Sequence, residues 1–226
     1  MKAKKVVHSF FELDRKDRKM YMLQVNMINT IGVALFKLFF GIIYISRWFL
    51  INATFYAILG FSKYRSVRDY RKVKKIKSKA EKDRITYNNY LYNGWLLMLL
   101  GIAYFGINLF IFKTGKTNNK LAGYLVYLTA VLSISSLITA TISLKKYRRK
   151  HDPIVAAACQ GNIAKALTSV VLTQVTLLDE FGPKTRKIVK FDGITGMTVG
   201  LVIVLLGIRM VIKIIKENKL YRKGTL

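Results

Sequence analysis

Cysteine, histidine, proline and acidic residues are all scarce in this chain, and the shortages exclude several kinds of protein. The single cysteine, Cys159, cannot form an intrachain disulfide. The two histidines, His8 and His151, lie far apart and have no cysteine or histidine partners at ligand spacing. No G-x-S-x-G, H-E-x-x-H or Gly-rich phosphate loop occurs. We therefore predict that the protein is not an enzyme and needs no cofactor.

Long apolar blocks dominate what is present. With 52% hydrophobic residues and two prolines the chain could be a large soluble domain, but its apolar residues form blocks of helical length. Such blocks are typical of helices that cross a bilayer. We predict an all-α, polytopic membrane protein whose domain 22–217 lies between a basic or interfacial cytoplasmic segment, 1–21, and a tail, 218–226. The six predicted transmembrane helices are 22–46, 48–64, 90–112, 121–144, 154–178 and 194–215.

The second of these spans is short for a bilayer that needs roughly 20 apolar residues. A tilted helix that begins near Arg47 and lets Lys63 snorkel to the inner interface would suffice. The alternative is one helix over 28–61, about 50 Å long, which would carry Lys37 through lipid. We expect two helices with an outer turn near Ser46.

Local signals predict several helix ends. Gly182 and Pro183 end the fifth helix, Asp192 and Gly193 open the sixth, and Asp152 is a plausible N-cap for the fifth. Residues 66–84 lack Gly and Pro, so we expect the second helix to continue into the cytoplasm there, mostly as a solvated face. Three acidic residues lie near the outer ends of the last two helices: Asp179, Glu180 and Asp192. They form either an acidic patch or helix caps balanced by nearby basic residues.

Positive charge is abundant and unevenly placed. Lys and Arg number 39 against 11 Asp and Glu, and with the N-terminus inside, 28 basic residues fall on the inner side and eight on the outer side. This asymmetry is the positive-inside signature, so we expect both termini in the cytoplasm and a multi-pass protein of the cytoplasmic membrane. The basic inner loops, including 68–82, should attract anionic lipid head groups, and we expect no nucleic-acid partner. Residues 1–20 fit an interfacial amphipathic helix or a frayed basic tail.

Several small and polar residues resemble a known membrane family. The spacing of Lys37, Gly41 and Ser46 is similar to that of the first helix of the cation diffusion facilitators. The chain resembles a degenerate relative of that family's six-helix membrane domain over 26–216. The resemblance implies a homodimer, and it implies a cytoplasmic metal-binding domain after the sixth helix that we do not expect in this chain. The later matches are Asn52-Ala53, Ser133-Ile134, Ala156 to Ala158, Leu167-Thr168-Ser169 and Asp192-Gly193-Ile194.

The resemblance also implies where metal ligands should lie. In this family, helices two and five each present a His or Asp followed four residues later by an Asp, because residues i and i+4 share a helix face. The matching positions are Phe55 and Leu59, then Gly161 and Lys165. The first three cannot ligate a metal through a side chain, and an ammonium repels a cation. We therefore predict no divalent-metal site here.

One lysine in this set requires an explanation. A cation near mid-span costs several kcal/mol unless protein, water or a counter-charge surrounds it. We place Lys165 in a candidate intramembrane polar site with Asn52, Gln160, Asn162 and Lys37, the last as an interhelical structural contact. Three interpretations of Lys165 are open: a structural substitute for the metal, a functional group, or a side chain that snorkels inward. The functional group would be a deprotonatable amine or a fixed cation for an anionic or polar substrate.

These observations favour a membrane protein related to cation transporters, of transport type, without the usual divalent-metal site and with an unknown substrate. The alternative is a non-transporting scaffold or accessory subunit whose basic cytoplasmic surfaces bind anionic lipid or a partner protein. A hydrated cavity around Asn52, Gln160 and Lys165 would favour transport, and dry packing there would favour the scaffold.

Overall fold

Six helices make up the part of the chain that the computed structural model describes, residues 15–114, 123–148, 153–182 and 186–222. No strand occurs in these ranges, so the predicted all-α fold is confirmed. His8, His151, Asp152 and most of the N-terminal segment lie outside the described residues. The helices are α1 Arg15–Ile43, α2 Arg47–Lys75, α3 Lys79–Thr114, α4 Gly123–Arg148, α5 Pro153–Phe181 and α6 Arg186–Arg222.

A tight turn separates α1 from α2, as expected, so a single helix over 28–61 is wrong. Ser46 N–H donates to the carbonyl of Gly41 (3.0 Å) and Ile45 N–H to that of Ile42 (3.3 Å). This is the hydrogen-bond pattern of a Schellman motif, which ends a helix with one left-handed residue. That residue is Ile45, with φ of +48°, where glycine is usual. The turn reverses the chain and lays α2 against α1.

The second helix is longer than its apolar block. It continues to Lys75, and the extended Ile76 then begins a short break before α3 starts at Lys79. Basic residues in the last turn of α2, Lys72, Lys74 and Lys75, suit the negative end of the helix dipole. Five of the described helices are long and apolar enough to cross a membrane, and α2 is not among them because its second half is strongly basic.

The fifth helix lies at the centre of the bundle. It packs against α2, α3, α4 and α6, and most of its side chains are buried. Small residues at Ala156 to Ala158, Gly161, Ala164 and Ser169 let neighbouring helices approach closely. The interior of the bundle is therefore defined by the residues of α5.

Helices α3 and α6 pack closely against each other through glycine residues. Gly94 lies against Gly207 and Gly101 against Gly200, so the antiparallel backbones are in contact every seven residues. A Cβ added at Gly101 would lie 2.7 Å from the backbone nitrogen of Val204. The sequence signal for this pairing is the seven-residue spacing of glycines in both helices.

The predicted start of the sixth helix at Asp192 and Gly193 is wrong. The helix already begins at Arg186, and both residues lie inside it. Gly193 serves a close approach instead, since its Cα faces Phe112 of α3. A dipeptide that often marks a turn here lies within a regular helix.

Candidate functional site

The positions that correspond to the family's metal ligands meet in the structure as buried, non-ligating side chains. Leu59 Cδ2 and Lys63 Cε of α2 both lie 3.9 Å from where a Cβ on Gly161 of α5 would lie. Phe55, one turn before Leu59, packs edge-on against Tyr104 of α3, with ring centroids 5.8 Å apart. Lys165 is 2% exposed. The faces of α2 and α5 therefore meet at this position, but they present no side chain of the kind that ligates a divalent metal there.

Metal-binding chemistry is lacking in the described residues as a whole. No group of three or more His, Cys, Asp or Glu side chains in residues 15–114, 123–148, 153–182 and 186–222 could hold a metal ion. Cys159 is buried, and its thiol donates to the carbonyl of Ser143 (3.3 Å).

Three lysines occupy the interior near this position. Lys37 of α1 and Lys63 of α2 are 1% and 4% exposed, comparable with Lys165. The Lys37 Nζ lies 3.9 Å from the ring centroid of Tyr56, and the Lys165 Nζ lies 5.8 Å from the same centroid. Like-charge repulsion from Lys165 reaches both other lysines. We call Lys37, Lys63, Lys165 and Tyr56 the lysine centre.

The aromatic ring at this centre is fixed by α5. Tyr56 is fully buried, and its hydroxyl donates to the carbonyl of Lys165 (3.1 Å) and also contacts the hydroxyl of Ser169. Two ammonium groups lie near this ring, and the negative quadrupole of the ring attracts each of them. Tyr56 therefore joins α1, α2 and α5 at one point.

The ammonium groups of Lys63 and Lys37 differ in their hydrogen-bond partners. The Lys63 Nζ donates to Thr30 Oγ1 (2.7 Å) and to Asn162 Oδ1 (2.5 Å), and Asn162 Nδ2 donates in turn to Ser143 Oγ (2.8 Å). The Lys37 Nζ is buried and has no hydrogen-bond acceptor among the described residues. Among the residues that the structure describes, Lys63 is thus solvated by protein, whereas the Lys37 Nζ has the ring of Tyr56 and no acceptor.

The structure places the predicted polar-site residues in the interior but joins only some of them. Asn162 accepts a hydrogen bond from Lys63 rather than from Lys165. Asn52 Nδ2 donates to the carbonyl of Trp48 within its own helix (3.0 Å). Buried oxygens of Asn52 and Gln160 have no hydrogen-bond donor among the described residues. The burial of Lys165 within the bundle disfavours the interpretation that it snorkels inward.

Lys63 and Tyr56 are functional candidates that sequence reasoning missed. We predicted Lys63 to snorkel, and the structure instead buries its side chain against α1 and α5. The signal was helical spacing: Asn52, Tyr56, Leu59 and Lys63 recur every three or four residues, so they share the face that turns toward α5.

A second polar cluster lies where α2 continues beyond its apolar block. We expected residues 66–84 to be mostly solvated, yet Ser66 and Asp69 are buried against α3. Asn89 Nδ2 donates to Asp69 Oδ2 (2.8 Å), and the hydroxyl of Ser66 donates to Asn89 Oδ1 (3.2 Å). These bonds hold the C-terminal half of α2 and the N-terminal half of α3 together.

The outer acidic residues do not all lie at the surface. Asp192 is 1% exposed and lies near Asp179 and Gln174 of α5. Gln174 Nε2 donates to Thr195 Oγ1 (3.1 Å), which links α5 to α6 one turn away. Asp192 is therefore an interior residue rather than an exposed helix cap.

Comparison with protein families identifies the type of bundle. Residues 83–217 match the family described as the cation efflux transmembrane domain, a range that runs from α3 into the end of α6 and covers more than half of the chain. A comparison with curated proteins finds no match. The matched range includes Gly161 and Lys165, and the contact between Leu59 and Gly161 places α2 at the same site.

Proposed function

Because the chain belongs to the cation efflux family, whose members are transporters, we propose that it is a transport-type membrane protein that binds a small anion, and not a divalent cation, between α2 and α5. The observation that carries this proposal is the lysine centre. Three lysines are buried there, two of them over the ring of Tyr56, and the described residues contribute no carboxylate to them. Basic side chains stand where the family's fold would hold a cation.

Electrostatics supports the choice of an anion. A divalent cation about 6 Å from one ammonium is repelled by roughly 5 kcal/mol at an effective dielectric constant of about 20, and three ammonium groups add to this. The same geometry attracts an anion, which would also supply the acceptor that the Lys37 Nζ lacks. Buried charge without a partner is strongly unfavourable, so a bound anion stabilises the centre.

The membrane setting is part of the same proposal. The protein spans the bilayer several times, and we place it in the cytoplasmic membrane with both termini inside, as its basic inner segments indicate. We further propose a homodimer, from the family resemblance, and no enzymatic activity.

A second candidate function is the scaffold or accessory subunit. The observation that favours it is the packing of Phe55 and Leu59, which are buried in one apolar cluster with Tyr104. Dry packing at the former ligand positions would suit a bundle that has lost its pathway. The two functions differ in whether anything crosses the membrane.

Purified full-length protein in proteoliposomes distinguishes them. We expect no uptake of Zn²⁺ or Mn²⁺ above that of empty vesicles, together with uptake of chloride or acetate that Lys165→Met abolishes. Lys113→Met, at an exposed lysine of α3, is the matched control and should transport as the parent does. Retention of helical circular dichroism shows that each variant folds.

Two results would decide against the proposal. Zinc or manganese uptake that survives Lys165→Met would contradict our interpretation of the lysine centre. A folded protein that moves neither the metals nor the two anions would favour the scaffold.

A further inference from the structure

A groove on the lipid-facing side of α1 and α2 is apolar over most of its length. Its volume is about 470 Å³, within the range of ligand pockets, and its walls include Ile31, Leu35 and Leu38 of α1 with Phe61 of α2. Leu35 and Phe61 are 61% and 62% exposed. In a bilayer these walls face acyl chains.

A second groove of about 230 Å³ continues toward the cytoplasm and is basic. Arg68, Arg71, Lys72 and Lys75 of α2 line it. Arg68 lies 3.8 Å from Asp69, but that carboxylate already accepts from Asn89 and faces Arg65 as well. The groove therefore keeps an excess of positive charge.

Tyr64 lines both grooves and joins them. It belongs to one stripe of α2 that changes from apolar to basic, with steps of three or four residues except between the adjacent Arg71 and Lys72: Ala57, Phe61, Tyr64, Arg68, Arg71, Lys72 and Lys75. The stretch from Ala57 to Lys72 is about 22 Å long at the helical rise. That is about half of a bilayer of roughly 40 to 45 Å with its head groups.

We propose that this stripe binds one anionic phospholipid of the inner leaflet. The phosphate lies among Arg71, Lys72 and Lys75, an acyl chain follows the apolar groove past Phe61, and Tyr64 lies at the level of the glycerol. Charge complementarity selects an anionic head group, and the adjoining apolar groove selects a lipid rather than a soluble phosphate. The inner leaflet follows from the positive-inside orientation.

Binding to full-length protein in a neutral detergent tests the site. Dioleoyl phosphatidylglycerol should bind with a lower Kd than dioleoyl phosphatidylcholine in native mass spectrometry. The variant Arg71→Gln/Lys72→Gln/Lys75→Gln should raise the phosphatidylglycerol Kd by about tenfold or more. The matched control Lys77→Gln/Lys79→Gln/Arg84→Gln removes the same charges from exposed residues outside both grooves and should leave the Kd unchanged.

The acyl groove has its own variant. Ala57→Trp fills the apolar groove and should weaken binding of the dioleoyl lipid without changing the weak binding of inorganic phosphate. The proposal is overturned if both charge variants bind phosphatidylglycerol equally. It is also overturned if inorganic phosphate, an acidic peptide or an RNA oligonucleotide binds the basic groove as tightly as the lipid. These outcomes do not depend on whether the lysine centre transports an anion.

Discussion

Two lysines of the lysine centre carry the same charge in different surroundings. Lys63 has two side-chain acceptors on α1 and α5, whereas the Lys37 Nζ has the face of Tyr56 and no acceptor among the described residues. A buried ammonium with good hydrogen bonds can be nearly neutral for stability, but one without them is not. The local contacts therefore decide what each lysine contributes to folding.

We predict opposite stability effects from the same substitution at these two residues. Lys63→Met should destabilise the protein by about 1–3 kcal/mol, because Asn162 and Thr30 lose their buried partner. Lys37→Met should be neutral or stabilising in anion-free buffer, because it removes an unpartnered charge. Thermal unfolding in one detergent measures both, and equal melting temperatures for the two variants would contradict the prediction.

At the scale of single elements, the turn after α1 holds a β-branched residue in a backbone conformation that such residues rarely adopt. Ile45 adopts a left-handed conformation at the turn and is exposed, so its side chain gains little from packing. We predict that Ile45→Gly stabilises the protein by about 1 kcal/mol, since glycine has no Cβ to strain. Ile45→Ala is the control, which keeps a Cβ. A lower melting temperature for Ile45→Gly than for Ile45→Ala would show that the turn is not strained.

The α3–α6 pair gives a second prediction at this scale. Gly101→Ala should destabilise by about 1–3 kcal/mol, because the added Cβ would meet backbone atoms of α6 at 2.7 to 2.8 Å. Gly106→Ala on the same helix has no atom within 4 Å and should be neutral or slightly stabilising. Thermal unfolding compares them, and similar losses at both glycines would contradict close packing at Gly101.

For the whole molecule, the orientation in the membrane can be tested directly. In a Cys159→Ala background, Ile45→Cys should react with an impermeant maleimide added to intact cells, because the charge distribution predicts that the α1–α2 turn lies outside. Lys77→Cys, in the break between α2 and α3, should react only after the cells are permeabilised. The unmodified background is the control for labelling of other groups. Labelling of Lys77→Cys in intact cells would reverse the orientation.

The sequence predicted the architecture well because apolar blocks and the distribution of charge are properties of whole helices. Lys37 and Lys165 were also placed in the interior, since each lies inside such a block. Lys63 was misplaced because it adjoins a basic run. We expected α2 to continue there as a solvated face, and nothing local to Lys63 shows that this part of the helix packs against its neighbours. We predicted the start of the sixth helix too late, at Asp192, for a similar reason. Gly193 serves a contact with another helix, and a local turn signal cannot reveal such a contact.

The glycine contacts between α3 and α6 also restrict how the molecule can move. Sliding one helix past the other by a residue, about 1.5 Å, would bring side chains such as Met98 and Val204 against backbone that only glycine accommodates. The pair therefore behaves as one rigid mechanical body with a fixed register. Any rearrangement that exposes the lysine centre to one side of the bilayer must then come from pivoting of α1, α2, α4 and α5 around that body.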